Sequence, residues 1–499
     1  MGTASRPTAA PATMPQGVRA ARHVLPAAAT VVAVAVLLRL VYRPWFLNYD
    51  ARYALVWARD IARGLTPDYT GPYAPTPHPL ETIVSLVAVP FGQGGDAIMV
   101  WAVLLCFGVL VWLAYRLGAE LFSPAVGVVT ALVVLTRPAL ERDALLGYQD
   151  TAFAVLILWA VLLEARREAK PVTSRQARQG RGAPVLVLLA VAGLMRPEAW
   201  ALAGLYALYV WRGASNRERA TYVGLTALAP VLWALMDWLV TGDALHSLHG
   251  TAALAETVDR RRDPLTGPYW TAKYLGYTLR EPLVVGIPIG LVFAYRRRLR
   301  GAVLPLAVAA AMLAVFLASP LFGLPLIGRY VRTPASLLAL FYGLAVFGWR
   351  MLPPGEARRR WAITGVLAAA LSLAFLPWHV NMLSDLHDRL VNQGAYYRDL
   401  RAVGQAPAVR AALRRCGPLA TADHRPIPHL RWWLDSDPGT VAPVTVPAAV
   451  RGSRLLLLPR RTRPMRRFYS VNFPTAKRPT GSRLLYRNAS WRVFAASGC

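Results

Sequence analysis

The feature that most constrains this chain is a series of long apolar runs, at 24–41, 98–117, 124–136, 150–164, 184–195, 198–211, 222–240, 282–295, 302–318, 336–349 and 362–377. Several approach or reach the roughly 17–25 residues that a helix needs to cross a bilayer. Hydrocarbon offers no partner for a backbone amide, so a spanning segment must satisfy its own hydrogen bonds, as a helix does. Composition agrees: 55% of residues are apolar, 16% are charged, and the mean hydropathy is +0.36, values foreign to a soluble protein of this length. The expected fold is an α-helical polytopic membrane protein of about eleven transmembrane helices, with no large soluble domain at its N-terminus.

Charge sets the expected orientation. Residues 1–23 carry Arg6, Arg19 and Arg22 and no acid, and the run after them is too long for the apolar part of a cleaved signal. They read as a cytoplasmic tail before a retained anchor. Crossing at each run then puts four arginine-rich clusters inside: Arg166, Arg167, Lys170, Arg175, Arg178 and Arg181; Arg212, Arg217 and Arg219; Arg296, Arg297, Arg298 and Arg300; and Arg350, Arg358, Arg359 and Arg360. The short runs 184–195 and 198–211 hinge on Arg196-Pro197-Glu198, as one re-entrant hairpin or as two longer helices; parity survives either way. The multi-pass domain is therefore 24–377, in the cell membrane, with outer loops 43–97 and 241–281 and an outer segment 378–499.

Polar residues on the outer side are where chemistry is expected. Asn48-Tyr49-Asp50 follows directly on the first run, where a carboxylate is cheap to solvate yet within reach of a lipid head group. The stretch 50–64 mixes Tyr53, Leu55, Val56, Trp57 and Ile61 with Arg52, Arg59 and Arg63 and ends in glycine, which predicts an interfacial helix with Asp50 as its N-cap. Residues 80–91 predict a second juxtamembrane helix. His78 and Glu81 are further polar candidates in the same loop, and Asp150 opens a span at its outer end. Arginine outside the membrane runs against the usual bias and asks for an anionic partner. Arg329, Tyr330 and Arg332 are best placed to hold a lipid phosphate, since guanidinium forks match phosphate oxygens. Arg196 and Glu198 are expected to pair with each other.

The segment 378–499 changes character. Short apolar runs at 440–446, 453–458 and 490–495 between turns predict strands in a small extracytoplasmic α/β domain. It holds twenty Lys/Arg against six Asp/Glu, which suits anionic lipid or an acidic wall glycan; a nucleic-acid partner is implausible outside the cell. Cys416 and Cys499 both lie here, while Cys106 is within a span, so a Cys416–Cys499 disulfide is expected, the alternative being two free thiols. Trp432, Trp433 and Trp491 are read as core rather than as sugar platforms.

The order of these features resembles the C-type glycosyltransferase superfamily, polytopic enzymes that take sugars from polyprenyl-phosphate donors. The likeness covers roughly residues 24–350. It runs from Asn48-Tyr49-Asp50 through His78-Pro79-Leu80, Pro90-Phe91-Gly92 and Gln149-Asp150-Thr151 to Gly328-Arg329-Tyr330-Val331-Arg332-Thr333-Pro334. The segments 193–200 and 241–249 are similar to further bacterial members. The resemblance implies that Asp50 is the general base for an acceptor hydroxyl and that Arg329 and Arg332 stabilise the leaving phosphate. It further implies that Asp150 orients the acceptor or an arginine, and that the donor is a lipid-linked sugar and the acceptor an extracytoplasmic glycan, lipid or protein of the cell envelope. Many relatives carry a second acid beside the first; here Asn48 and Tyr49 precede Asp50, which leaves divalent metal in doubt and predicts none as an obligatory cofactor.

No Walker loop, GxGxxG signature or His/Cys metal spacing is present in the sequence, which disfavours ATP-driven pumps, nucleotide-sugar enzymes and zinc hydrolases. Two other classes stay open: a transporter or flippase of lipid-linked sugars, which predicts inverted repeats and polar groups at the midplane, and a non-catalytic subunit of the cell envelope.

Overall fold

The computed structural model describes residues 16–169, 182–469, 473–474, 476–478 and 480–499. Arg6, and Lys170, Arg175, Arg178 and Arg181 of the first arginine-rich loop, lie outside the described residues.

All eleven apolar runs fall on helices. The first half comprises α1 (Gln16–Val41), α2 (Tyr49–Ala62), α3 (Pro79–Ala88), α4 (Gly95–Leu121), α5 (Pro124–Leu135), α6 (Pro138–Leu145), α7 (Asp150–Ala169), α8 (Ala183–Gly193) and α9 (Glu198–Trp211). Then follow α10 (Asn216–Thr241), α11 (His246–Thr257), α12 (Gly267–Leu279), α13 (Leu283–Arg296), α14 (Val303–Ala318), α15 (Arg332–Phe347) and α16 (Glu356–Ala374). By length and apolarity four helical stretches suffice to cross a membrane: Pro79–Leu121, Asn216–Thr241, Arg300–Phe322 and Gly328–Met351. Three bent pairs, α5 with α6 at 60°, Pro264–Leu279 with α13 at 101° and α16 with the next helix at 46°, raise the count to as many as seven. The eleven predicted runs thus yield fewer full-length apolar helices. Leu25–Val41 and α8 are apolar but short, and α7 carries Asp150, Glu164, Arg166 and Arg167 towards its ends.

Small residues let the helix backbones approach. A Cβ on Gly118 of α4 would stand 2.6 Å from the Cα of Gly127 on α5, and one on Gly290 of α13 would run into the carbonyl of Phe341 on α15. At one end of the bundle Arg166 grips Glu120 at 2.6 and 2.7 Å, Gly301 abuts the carbonyl of Leu121, and Arg296, Arg297, Glu356 and Arg360 share one recess. Described members of three of the predicted inner clusters therefore gather at the end of α4 opposite Asp96 and α2.

The thirty-residue α17 (Leu376–Gln405) leads out of the bundle into the C-terminal domain. That domain contains α18 (Pro407–Cys416), β1 (Leu419–Thr421), α19 (Ile427–Leu434), β2 (Val441–Pro443), β3 (Leu455–Pro459), α20 (Arg463–Phe468), β4 (Arg483–Arg487) and β5 (Trp491–Ala495). Its sheet order is β2-β1-β3-β5-β4, parallel from β2 to β3 and antiparallel beyond. Parallel neighbours need a crossover, and α19 supplies it between β1 and β2. The runs 440–446, 453–458 and 490–495 become β2, β3 and β5; β1 is too short, and β4 too polar at both ends, to stand out in the sequence. Cys416 and Cys499 are joined with their Cα atoms 5.6 Å apart, and Trp432, Trp433 and Trp491 are buried in the core.

The helix α2 departs from expectation. Instead of floating at an interface it is buried along Ala51–Asp60, clamped between α3 and the C-terminal α19. Its arginines are paired rather than solvated. Arg52 forks onto Asp96, with one arm at 2.6 Å, below the Trp433 ring. Arg59 donates to the carbonyls of Arg431 at 2.9 Å and Ser436 at 2.7 Å. Asp60 accepts from Arg431 at 2.8 Å.

Candidate active site

The site starts with a cap. Asn48, not Asp50, is the N-cap of α2: its side-chain oxygen accepts from the amides of Asp50 at 2.8 Å and Ala51 at 3.1 Å. Its own amide groups, backbone and side chain, donate to the carbonyl of Leu146 at 2.8 and 3.0 Å. Capping is thus discharged by the neutral residue, and the Asp50 carboxylate in the first turn turns to another partner. Arg329, from the loop before α15, donates to Asp50 Oδ2 at 2.6 Å. The second carboxylate oxygen has no hydrogen-bond partner among the described residues.

Behind this pair runs a chain of alternating charge. Arg329 Nε lies 3.8 Å from Asp150; Asp150 also bonds Arg196, which reaches on to Glu198. The ring of Tyr330 lies 4.0 Å from the Arg196 guanidinium and that of Tyr148 lies 5.2 Å from Arg329. Arg332 donates to Asp143 at 3.1 Å and bonds Thr278. The expected Arg196–Glu198 pair is present, with Asp150 as an additional partner.

Asp50, Arg329 and Arg332 open onto a cavity of about 1280 Å³. All the predicted outer segments contribute: Asn48, Tyr49 and Tyr73 from the first loop, 258–262 with Lys273 and Tyr277 from the second, and Gln393, Tyr397, His424 and Arg425 from the C-terminal part. Its basic groups are Arg142, Arg260, Arg261, Arg262, Lys273, Arg329, Arg332 and Arg425, against the acids Asp50, Asp143 and Asp259. Asp150, Tyr330, His78 and Glu81 do not line it. They stand behind the wall: Asp150 and Tyr330 brace Arg329 and Arg196, Glu81 is buried in α3, and His78 stands at the start of α3 with its ring edge-on to Trp233.

Electrostatics separate the titrating groups. Burial pushes the Asp50 carboxyl up, but Arg329, with Arg260 and His78 adding to it, more than reverses this and holds it below the ordinary carboxylate range. Asp50 is therefore ionised at neutral pH. Burial, reinforced by Arg329, brings His78 down to about 4, and burial with Arg425 and Arg260 does the same to His424. Both imidazoles are neutral at pH 7. Sequence reasoning missed the arginine triplet 260–262, although it lies in an outer loop where the charge rule already asks for an anion. It also missed Tyr73, His424 and Arg425, for which no local signal exists. Among the described residues no group of three or more His, Cys, Asp or Glu side chains is arranged to hold a metal ion.

The architecture is that of a polytopic membrane protein with a predominantly basic cavity on one side and the Asp50 carboxylate on its wall. Solved structures share the fold. ArnT from Cupriavidus metallidurans bound to undecaprenyl phosphate is 16% identical and aligns over 95% of this chain and 98% of its own, with a TM-score of 0.60. The oligosaccharyltransferase from Archaeoglobus fulgidus tethered with an acceptor peptide is 11% identical over 88% of this chain and 70% of its own, at 0.52. AglB from Archaeoglobus fulgidus, in complex with an inhibitory peptide and a dolichol-phosphate, is 11% identical over 86% and 69%, at 0.51. No family model and no curated protein matches the chain. The chain has the fold of the C-type glycosyltransferases, with the small sheet domain at its C-terminus.

Proposed function

We propose that this protein is a membrane glycosyltransferase that moves a sugar from a polyprenyl-phosphate donor to an acceptor outside the cytoplasm, with Asp50 as general base. The observation that carries the reading is the pairing of an ionised, uncapped carboxylate with a cavity whose walls are predominantly basic. The cations suit the donor phosphate, and the fold is one whose solved examples include complexes with undecaprenyl phosphate and dolichol-phosphate.

In the reaction the acceptor hydroxyl loses its proton to Asp50 as its oxygen attacks the anomeric carbon. The bond from that carbon to the phosphate oxygen breaks, and polyprenyl phosphate leaves with the electron pair. A phosphate is already a good leaving group, so one base and nearby cations suffice, and a single displacement inverts the anomeric centre. Arg329 bonds the base and Arg332 lines the same cavity wall, and with such cations the proposed reaction needs no obligatory metal. Gathering of the arginine clusters at the far end of the bundle supports an orientation with that end in the cytoplasm of the cell and the cavity outside.

The test is transfer by purified protein in nanodiscs from a panel of polyprenyl-phosphate sugars to envelope extracts, with Asp50→Asn beside wild type. Loss of a general base costs about 10²–10⁴ in rate. A folded Asp50→Asn protein should bind undecaprenyl phosphate yet lose transfer by that factor, with or without a chelator. Undiminished transfer would remove Asp50 from the mechanism; binding without transfer in the wild type would favour a carrier.

A further inference from the structure

A second cavity adjoins the first. It measures about 390 Å³ and lies between the loop 69–77, α11 and Val446 of the C-terminal domain; Tyr73 and Leu254 line both cavities. Its volume is at the lower end of the roughly 300–1,000 Å³ of small-molecule sites, enough for a monosaccharide or the end of an oligosaccharide.

The two cavities differ in chemistry. No Asp, Glu, Lys or Arg side chain lines the smaller one. It offers hydroxyls instead, from Thr70, Thr251 and Thr257, with the ring of His246 held by the carbonyl of Tyr69 at 3.2 Å. Three prolines of the loop, Pro72, Pro75 and Pro77, bring no N–H. The carbonyls of Thr70, Pro72, Ala74 and Pro75 accept no hydrogen bond among the described residues. Such a segment is rich in acceptors and wants donors, which is what the hydroxyls of a sugar are. A buried carboxylate secures the opposite side: Asp237 accepts from the amide and hydroxyl of Ser247 at 2.8 and 2.9 Å and so fixes the start of α11.

Tyr73 is the partition. It is a non-glycine residue at φ 61°, a conformation that persists where its surroundings over-determine it and that concentrates at functional sites. Its ring stacks on His424 at 4.5 Å and 9°, and its hydroxyl donates to Thr445 at 3.2 Å. Its carbonyl accepts from the hydroxyl of Tyr49 at 2.9 Å, and Tyr49 is the chain neighbour of Asp50. The neutral cavity is thus one hydrogen bond and one residue from the base.

We infer that the smaller cavity is the acceptor site and that it takes a neutral saccharide, whose reacting hydroxyl passes Tyr73 to meet Asp50. This rests on the transferase reading for its name, but the binding of neutral sugar stands on the cavity alone. An anionic acceptor would find no lysine or arginine there, and the larger cavity already has the basic groups that a donor phosphate requires.

The test uses the full chain in nanodiscs and saturation-transfer difference NMR with two sets of probes, neutral disaccharides and the same disaccharides with one ring replaced by a uronic acid; binding of undecaprenyl phosphate is measured in parallel. The variants are Gly250→Leu and Ala253→Leu, on the cavity side of α11. A Cβ on Gly250 meets only the His246 ring at 3.6 Å, and Ala253 is exposed, so either side chain fills the cavity without a backbone clash. Neutral disaccharides should bind the wild type at least about tenfold tighter than the acidic ones, and each variant should lose about that factor while binding undecaprenyl phosphate within about twofold of wild type. Equal binding of both sets, or variants that bind neutral disaccharides like wild type, would overturn the assignment. Neutral-sugar binding that the variants abolish, in a protein that ignores undecaprenyl phosphate, would uphold this cavity and sink the donor reading instead.

Discussion

Replacing Asp60 by asparagine should loosen the C-terminal domain from the bundle. The Asp60 and Arg431 side chains each expose 1% of their surface, and Arg59 exposes 4%. Asp60 lies 2.8 Å from one guanidinium and 3.5 Å from the other. Two cations would be left facing a neutral amide in a site closed to water. At an effective dielectric of about 20, charges near 4 Å attract by roughly 4 kcal/mol before desolvation is counted. Breaking one side of a buried pair costs about 3–5 kcal/mol. Arg59 keeps a second, solvated partner in Asp435 at 3.3 Å and the carbonyls of Arg431 and Ser436, so the lower end applies, about 3 kcal/mol. That is roughly a hundredfold larger population of undocked domain. Native-state proteolysis of the protein in nanodiscs reads this as a comparable rise in cleavage around the undocked domain. The double variant Asp60→Leu, Arg431→Met removes both charges and should recover most of the loss. Wild-type cleavage in Asp60→Asn, or a double variant no better than the single one, would refute the claim that this pair governs docking.

Three other outcomes follow from the site and the domain. Asp50 works only when ionised and Arg329 is the main influence holding its pKa down, so wild-type transfer should persist as pH falls below the ordinary carboxylate range; in Arg329→Gln the acid limb of kcat/KM should move to higher pH and the alkaline limb stay put, and an unmoved acid limb would count against Asp50 as base. Arg260→Gln and Lys273→Gln, at the cavity wall, should each weaken undecaprenyl phosphate binding by about fivefold at low ionic strength, the value of one exposed charge contact, and by less as salt is raised. Cys416→Ser opens a loop of sequence separation 83 that encloses the whole sheet; the domain should lose about 2–4 kcal/mol, measured as a lower unfolding midpoint that reductant no longer changes.

Much of the architecture is legible in the sequence because the bilayer imposes it: apolar length and arginine placement are properties of neighbours in the chain. Asp50 stands out for the same local reason. Its partner does not, for Arg329 is 279 residues away and the sequence says only that such an arginine seeks an anion. Asn48 and Asp50 are both good helix caps, and nothing local decides between them; the Leu146 carbonyl does, by fixing Asn48. The burial of α2 is illegible too. A helix with three arginines and several aromatics has the pattern of an interfacial helix, and only Asp96, Arg431 and Ser436 turn it into a buried one. Strands of three residues such as β1 leave no periodicity to detect.

The clamp on α2 also sets when the surroundings of Asp50 can be completed during synthesis. Asp50 is made early, yet the helix that carries it finds its counterpart Arg431 only 371 residues further along. At ordinary rates of synthesis that interval is on the order of half a minute, during which α2 has its charges but not their partners. A chain that stops before His424 carries Asp50 without the contacts that hold its helix and without His424 and Arg425 on the cavity wall. On the proposed transferase reading, chains cut short before α19 should therefore lack transfer altogether rather than show altered selectivity.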